Sequence, residues 1–148
     1  MKIGLLADTQ GSFDVEALLE FVGKEFAGVD EIWHAGDWGS EDVLEGLRRL
    51  GRVVVVNGNA PSDARYPTTI EGTIGRWRVG MVHNLDKQRA RWAAGYDVLI
   101  HGHTHRPGVH DTAIEGEPAQ RMVLGAWYEQ GSYIQYENGR YELRNLPR

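Results

Sequence analysis

The stretch EIWHAGDWGSEDVLEGLRRLGRVVVVNGN, residues 31–59, contains a complete strand–helix–strand unit. EIWH predicts a strand, DVLEGLRRL has apolar residues at helical spacing behind Ser40 as N-cap, and RVVVVN predicts a second strand. That second strand is apolar throughout, as expected where both faces of a strand are covered. Two strands joined through a helix pair in parallel with a right-handed crossover. The segment therefore predicts an α/β protein built on a parallel sheet.

The residues before this unit repeat its pattern. KIGLLA, residues 2–7, predicts a first strand, and VEALLEFVGKEF, residues 15–26, predicts an amphipathic helix. Asp14 precedes that helix as a predicted N-cap, and Gly28 follows it as a predicted stop. The first part of the chain thus alternates three strands with two helices.

The second part of the chain has a different pattern. TTIEGTIGRWRVGMVH, residues 68–83, predicts a strand pair that turns at Gly75, and a short helix over residues 86–94 and the strand VLIH follow. Residues 107–146 predict four more strands, the last two joined by the hairpin signal Asn138-Gly139. We therefore expect two packed sheets, a mostly parallel half followed by a mixed or antiparallel half, in a single domain over residues 1–148.

Composition narrows the classes of function. The chain has 148 residues, no cysteine and a formal net charge of -5. A metal would therefore be held by imidazole, carboxylate, amide or water, a ligand set suited to Mn, Fe, Zn or Mg. Without a cluster of Lys and Arg, the sequence predicts no nucleic-acid or membrane surface. The apolar runs are strand-sized and the N-terminus lacks a signal-peptide pattern, so we expect a cytoplasmic protein.

Polar residues follow five of the predicted strands. They are Asp8, Gly36-Asp37, Gly58-Asn59, His83 and the run His101-Gly102-His103-Thr104-His105. Taken singly, the Asp and Asn residues are typical of turns, and a lone histidine is typical of a hydrogen-bonded core position. In HGHTH, however, alternate residues share one face of a strand, so its histidines can converge. Because strand ends meet at one edge of such a sheet, we predict a metal site there.

The order Asp-x-x, Gly-Asp, Gly-Asn, His, Gly-His-Thr-His resembles the calcineurin-like metallophosphoesterase superfamily over nearly the whole chain. The short spacings look like its small bacterial and archaeal phosphodiesterases. The C-terminal third, HGHTHRPGVH followed by RMVLGAWYEQGS, resembles its UDP-2,3-diacylglucosamine hydrolases. The resemblance implies a two-sheet αββα sandwich and a hydrolase that uses a dinuclear metal centre, whose activated water attacks a phosphoester.

The resemblance also implies ligands for two divalent ions. The first ion would take Asp8, Gln10, Asp37 and His105, and the second would take Asp37, Asn59, His83 and His103. The catalytic residues would be Asp37, Asn59 and His103, with Asp37 bridging the ions. We expect Mn²⁺, with Mg, Fe, Ni and Zn as alternatives.

Two positions depart from the family pattern. The usual second ligand is histidine, and here it is Gln10, whose amide oxygen predicts weaker binding of the first ion. Many members carry a histidine after Gly-Asn, and here Ala60 takes that place. Whether Asp63 or His101 replaces it is open. Since general acid help contributes about 10²–10⁴-fold, we expect a slow enzyme or one that favours good leaving groups.

The segment between Ala60 and Gly102 holds no long lid insertion that could shelter acyl chains. We therefore expect a small or non-lipid phosphoester as substrate. The alternative is a weakened or inactive member of the family that acts as a binding scaffold, as one eukaryotic retromer subunit does. Small relatives often dimerise, which leaves a homodimer open.

Overall fold

The computed structural model describes residues 1–10, 14–85, 95–104, 106–125, 127 and 131–146. Its helices are α1 (Val15–Glu25) and α2 (Glu41–Arg48). Its first strands are β1 (Lys2–Leu6), β2 (Glu31–His34), β3 (Arg52–Val55), β4 (Thr69–Ile74) and β5 (Trp77–Val82). The remaining strands are β6 (Val98–His101), β7 (Gly108–Ile114), β8 (Glu117–Val123), β9 (Gly131–Glu137) and β10 (Arg140–Leu146). The predicted helix over residues 86–94 lies outside the described residues.

The first sheet has the strand order β10-β9-β1-β2-β3. β1, β2 and β3 are parallel, which confirms the alternation predicted at the N-terminus. The C-terminal hairpin β9–β10 returns to this sheet, and β9 pairs with β1 in antiparallel register. The expected division into a leading parallel half and a following mixed half therefore needs one change, because the last two strands extend the first sheet.

The second sheet has the order β4-β5-β6-β8-β7 and combines antiparallel hairpins with two parallel pairs. The β4–β5 turn falls at Gly75, as predicted, with φ at +59°. The β9–β10 hairpin turns at Asn138-Gly139, where both φ angles are positive, as the sequence signal predicts. The β7–β8 hairpin has the same kind of turn at Glu115-Gly116, a position that the sequence pattern does not predict.

The main core lies between the two sheets. Buried side chains from both sheets fill it, including Ile3, Trp33, Met81, Ile100 and Ile134. The other face of the first sheet is covered by both helices, whose apolar residues pack with β2 and with Tyr133. The α/β class and the two-sheet arrangement are confirmed. On the outer face of the second sheet, the described residues form a smaller apolar cluster.

The two helix N-termini differ in their capping. Asp14 caps α1 as predicted, because its carboxylate accepts from the backbone N–H groups of Glu16 and Ala17. Ser40 occupies the N-cap position of α2, as predicted, but its side chain accepts no capping hydrogen bond. Instead, Glu41 and Asp42 place acidic groups in the first turn, where they interact favourably with the helix dipole. Neither described helix has the length and apolarity needed to cross a membrane.

Candidate metal centre at the strand ends

The predicted strand ends meet at one edge of the molecule. Asp8, Asp37, Asn59 and His83 lie just beyond β1, β2, β3 and β5, and His103 lies just beyond β6. Backbone hydrogen bonds join these loops, since Asp8 N–H donates to Gly36 and Gln10 N–H donates to Asp37, each at 3.0 Å. The two sheets thus deliver side chains from different parts of the chain to one place.

Asp8, Asp37 and His83 form a compact cluster of ligand atoms. One atom from each lies within 4.8 Å of the others, and all three residues are buried. Two carboxylates and an imidazole are a suitable ligand set for a divalent transition ion. These residues fit the metal that the sequence pattern predicts.

Asp37 is held at both carboxylate oxygens. Its Oδ1 accepts from the backbone N–H groups of Asn59 at 2.6 Å and Ala60 at 2.9 Å. Its Oδ2 accepts from Gln10 Nε2 at 3.0 Å and lies 3.3 Å from His83 Nε2. Burial by itself raises the pKa of Asp37, but hydrogen bonds from His83, Ala60 and Asn59 outweigh it and lower the pKa well below its ordinary value. Asp37 is therefore ionised at neutral pH.

Asp8 has the opposite electrostatic behaviour. Burial raises the pKa of Asp8 to about 7, and the negative charge of Asp37 adds to that effect. The charge of His83 and the backbone N–H of His103, which donates to Asp8 Oδ2 at 3.1 Å, lower the pKa and only partly offset burial. Near pH 7 and without metal, the Asp37 carboxyl group is thus ionised and the Asp8 carboxyl group is about half ionised.

The ring of His83 is oriented by the protein backbone. Its Nδ1–H donates to the carbonyl oxygen of Ala35 at 2.8 Å, which leaves Nε2 facing Asp37. Histidines that bind metals characteristically donate their second ring nitrogen in this way. Burial lowers the pKa of His83, but the hydrogen bond and the charge from Asp37 outweigh it, and the net shift is upward.

Glycine at three positions allows these close approaches. A Cβ atom at Gly36 would lie 2.8 Å from His83 Nδ1, and one at Gly102 would lie 2.6 Å from Asp8 Oδ2. A Cβ at Gly58 would overlap Asp37 Oδ1. The glycines that precede Asp37, Asn59 and His103 in the sequence therefore have a steric reason to be glycine.

Three site residues have left-handed backbone conformations. The φ angles of Asp8, Asp37 and His103 are +54°, +60° and +69°. Non-glycine residues rarely adopt such angles, and they persist where the surrounding structure imposes them, as at functional sites. The other described non-glycine residues with positive φ, Glu115 and Asn138, lie in hairpin turns.

Asn59 and His103 lie at the exposed mouth of the cluster. Asn59 Nδ2–H donates to His103 Nδ1 at 3.4 Å, and the His103 ring stands edge-on to His83 with 5.1 Å between ring centroids. The structure thus brings together Asp8, Gln10, Asp37, Asn59, His83 and His103. The remaining predicted ligand, His105, lies outside the described residues.

Two open candidates for a proton donor are placed by their hydrogen bonds. Asp63 pairs with Arg65 at 2.7 Å, and hydrogen bonds from Arg65 lower the pKa of Asp63. It is therefore ionised and held by a cation, which does not suit a proton donor. His101 is buried, and its Nδ1–H donates to the carbonyl of the adjacent Gly102 at 2.9 Å, which fits a supporting role.

One histidine behind the site, His34, is not among the residues that the sequence pattern predicts. His34 ends β2 and is fully buried, and burial lowers its pKa to about 3. Its Nδ1 accepts from Gly36 N–H at 3.2 Å, so Nε2 carries the proton that it donates to Thr9 Oγ1 at 2.9 Å. Neutral His34 thereby orients the neighbours of Asp37 and Asp8. Its position one residue before Ala35-Gly36-Asp37 is the signal that could have identified it.

Trp38, the residue after Asp37, is fully buried and does not line the site. It packs edge-on against Tyr66 with 5.0 Å between ring centroids and belongs to the core under the helices.

Two mixed sheets whose strand ends meet at a buried cluster of two carboxylates and one imidazole are features of a class of metal-binding α/β proteins. The calcineurin-like phosphoesterase superfamily domain matches residues 1–124 of this sequence. The chain belongs to this superfamily, as the resemblance predicted.

Relatives agree with this placement. The UDP-2,3-diacylglucosamine hydrolase of Aeromonas salmonicida is 54% identical over 55 residues, which cover 36% of this chain and 22% of that protein. The match thus spans about a quarter or less of the length of such curated relatives. Solved structures similar in fold include an archaeal phosphodiesterase, with TM-score 0.73, 19% identity and 99% of both chains covered. A Vps29 mutant from Entamoeba histolytica aligns with TM-score 0.72, 16% identity and 99% of both chains covered.

Proposed function

We propose that this protein is a metal-dependent phosphoesterase that hydrolyses a small, non-lipid phosphoester at a dinuclear centre. The observation that carries the proposal is the buried cluster of Asp8, Asp37 and His83, whose ligand atoms lie within 4.8 Å of one another. A cluster of this kind is costly for a metal-free fold, because burial raises the pKa of Asp8 far above its ordinary value. A scaffold has no physical need for that arrangement.

The proposed ligand sets follow the predicted positions. Asp8, Gln10, Asp37 and His105 would hold one ion, and Asp37, Asn59, His83 and His103 would hold the second. When bound, the ions supply positive charge to the phosphate oxygens and lower the pKa of the attacking water. We expect Mn²⁺, and Mg, Fe, Ni and Zn are the alternatives to be tested.

Backbone groups of the protein orient two of the proposed metal ligands. Backbone N–H groups of Asn59 and Ala60 fix the Asp37 carboxylate, and the Ala35 carbonyl fixes the His83 ring. Asn59 and His103 are exposed at the mouth, where their donor groups can reach the substrate phosphate. Ala60 has no group that could protonate a leaving group, and Asp63 is held by Arg65. The proposed reaction therefore favours esters with good leaving groups.

The relatives named for a lipid-linked substrate share only part of their length with this chain. The short segment between Ala60 and Gly102 supports the proposal of a small, non-lipid substrate. A homodimer and a cytoplasmic location stay predictions.

The direct test is hydrolysis of bis(p-nitrophenyl) phosphate by metal-stripped protein titrated with Mn²⁺ and, separately, with the other ions. We expect metal-dependent turnover that Asp37→Ala abolishes. Asp111→Ala, which removes an exposed aspartate on β7, should keep the turnover. A well-folded protein without turnover at any metal concentration would favour the scaffold alternative.

A further inference from the structure

A cavity of about 200 Å³ adjoins the candidate metal centre between the ends of β3 and β5. Its polar lining residues are Asn57, Asn59, Ser62, Thr68, His83 and Asn84. Asn59 and His83 also belong to the metal cluster, so the cavity opens directly beside the place where a phosphate would bind. It is therefore positioned to receive one ester substituent of that phosphate.

The side chains that line the cavity indicate which chemical groups it can bind. Side-chain amides and hydroxyls both donate and accept hydrogen bonds, which matches the hydroxyl groups of a polyol. Among the lining residues that the structure describes, none is Asp, Glu, Lys or Arg, and His83 is paired through Nε2 with Asp37, so a second phosphate finds no unpaired counter-charge there. Val82 is the aliphatic member of the lining, and it is only 1% exposed, so an alkyl chain finds little apolar surface.

Hydrogen bonds between the lining residue Asn57 and the adjoining loop fix one wall of the cavity. Asn57 N–H donates to the Pro67 carbonyl, and Asn57 Oδ1 accepts from Asp63 N–H, both at 2.7 Å. The same loop is tied to α2, because Tyr66 O–H donates to Glu41 at 3.0 Å. A site fixed in this way loses little conformational entropy when a ligand binds.

The volume limits the size of the occupant. A water molecule takes about 30 Å³ of liquid volume, so the cavity has room for roughly six waters, or one group of the size of a pentose. We infer that it is a subsite for an uncharged, hydroxyl-rich substituent of pentose size on the scissile phosphate. This inference rests on the proposed function and specifies its substrate class.

Matched chromogenic diesters test the inference. Methyl riboside 5-(p-nitrophenyl phosphate) carries the proposed substituent, and cyclopentylmethyl p-nitrophenyl phosphate has a similar ring without its oxygens. Both release p-nitrophenolate, so the ratio of their kcat/KM values reports on the substituent. We expect the Mn²⁺-loaded protein to prefer the riboside ester about tenfold or more. A ratio near one, or a preference for the cyclopentyl ester, overturns the inference.

A substitution in the wall tests the cavity itself. Thr68→Val removes a hydroxyl at nearly constant volume and should lower the ratio about fivefold, the effect of one net hydrogen bond. Thr73→Val makes the same change at an exposed position of β4, outside the cavity, and should keep the wild-type ratio. Equal ratios in the two variants and the wild type would contradict the inference.

A nucleotide and a simple sugar phosphate share this chemistry, and uridine 5′-(p-nitrophenyl phosphate), which adds a base to the same ribose, distinguishes them. A higher kcat/KM than for the methyl riboside ester assigns a nucleoside as the source of the substituent, and an equal or lower value assigns a simple sugar or polyol. Both results support a hydroxyl-rich subsite.

Calorimetry separates this inference from the proposed function. Ribose 5-phosphate should bind the Mn²⁺-loaded protein about tenfold more tightly than cyclopentylmethyl phosphate, and Thr68→Val should reduce that preference. Selective binding without any turnover would sustain the subsite while contradicting the proposed function. Turnover without selectivity would support the proposed function and contradict the subsite. The absence of both turnover and selective binding would contradict the two proposals.

Discussion

At the scale of single residues, the site separates two aspartates that look alike in the sequence. Asp8 and Asp37 both follow a strand and both have positive φ angles. Asp37 receives two backbone N–H bonds at Oδ1, whereas Asp8 receives one at Oδ2 and is fully buried. Burial raises the pKa of Asp8, whereas the hydrogen bonds to Asp37 outweigh burial and lower its pKa. Only the folded arrangement contains that information.

This separation predicts a pH dependence of metal binding. With its pKa near 7 in the metal-free protein, Asp8 must lose a proton to bind an ion. The ionised fraction falls roughly tenfold between pH 8 and pH 6, so the Mn²⁺ affinity should fall by about that factor, as titration calorimetry would measure. Proton uptake by His83 acts in the same direction. An affinity that is constant over this range would contradict the assignment of Asp8 as a ligand.

The same pKa predicts an effect on stability without metal. Because the folded-state pKa of Asp8 is raised, its contribution to stability is present below about pH 4 and is lost as the pH rises through 7. Asp8→Asn removes the buried charge and should raise the unfolding free energy of the metal-free protein at pH 8 by about 1–3 kcal/mol. Denaturant unfolding at pH 8 and pH 5 would measure this. A variant less stable than the wild type at pH 8 would refute it.

Gln10 is the residue at which this chain departs from the family pattern. Its amide Nε2–H donates to Asp37 Oδ2 at 3.0 Å, so the side chain already faces the centre. Gln10→His should strengthen the binding of Fe or Zn at the first metal site about tenfold or more, because imidazole is a stronger ligand than an amide oxygen for these ions. Metal content after gel filtration, measured by mass spectrometry, would show a gain over the wild type. Unchanged metal content would argue against position 10 as a ligand.

At the scale of elements, the two helix caps offer a matched comparison. Asp14→Ala removes an acceptor for two backbone N–H groups and should cost about 1 kcal/mol of stability. Ser40→Ala removes a side chain that makes no capping hydrogen bond, so its cost should be smaller. Thermal or urea unfolding of both variants would test this order. Equal losses would show that Ser40 caps α2 in solution.

The elements themselves were largely predictable because they depend on local patterns. β2, β6 and the turns at Gly75 and Asn138-Gly139 lie where the sequence places them, since side-chain period and turn chemistry are properties of a few adjacent residues. The Glu115-Gly116 turn was missed because Glu at the first turn position is an uncommon signal.

At the scale of the whole molecule, the C-terminal hairpin completes the first sheet. β9 pairs with β1, and Ile134 is fully buried in the core between the sheets. Ile134→Ala should therefore cost about 2–5 kcal/mol of stability and reduce metal binding at 37 °C by partial unfolding. Arg140→Ala, at an exposed position of the same hairpin, should change stability by less than about 0.5 kcal/mol. Similar effects of both variants would show that the hairpin does not pack as described.

The sequence by itself determined which residues follow the strands, and so identified Asp8, Asp37, Asn59, His83 and His103 as the candidate centre. Strand period, glycine positions and ligand chemistry are encoded locally, so they are visible without coordinates. The tertiary structure alone decided that β9 and β10 join the first sheet, that His34 supports the centre, and that a polar cavity lies beside it. The opposite pKa shifts of Asp8 and Asp37 also arose only there. These properties depend on contacts between residues far apart in the chain, which no local pattern specifies.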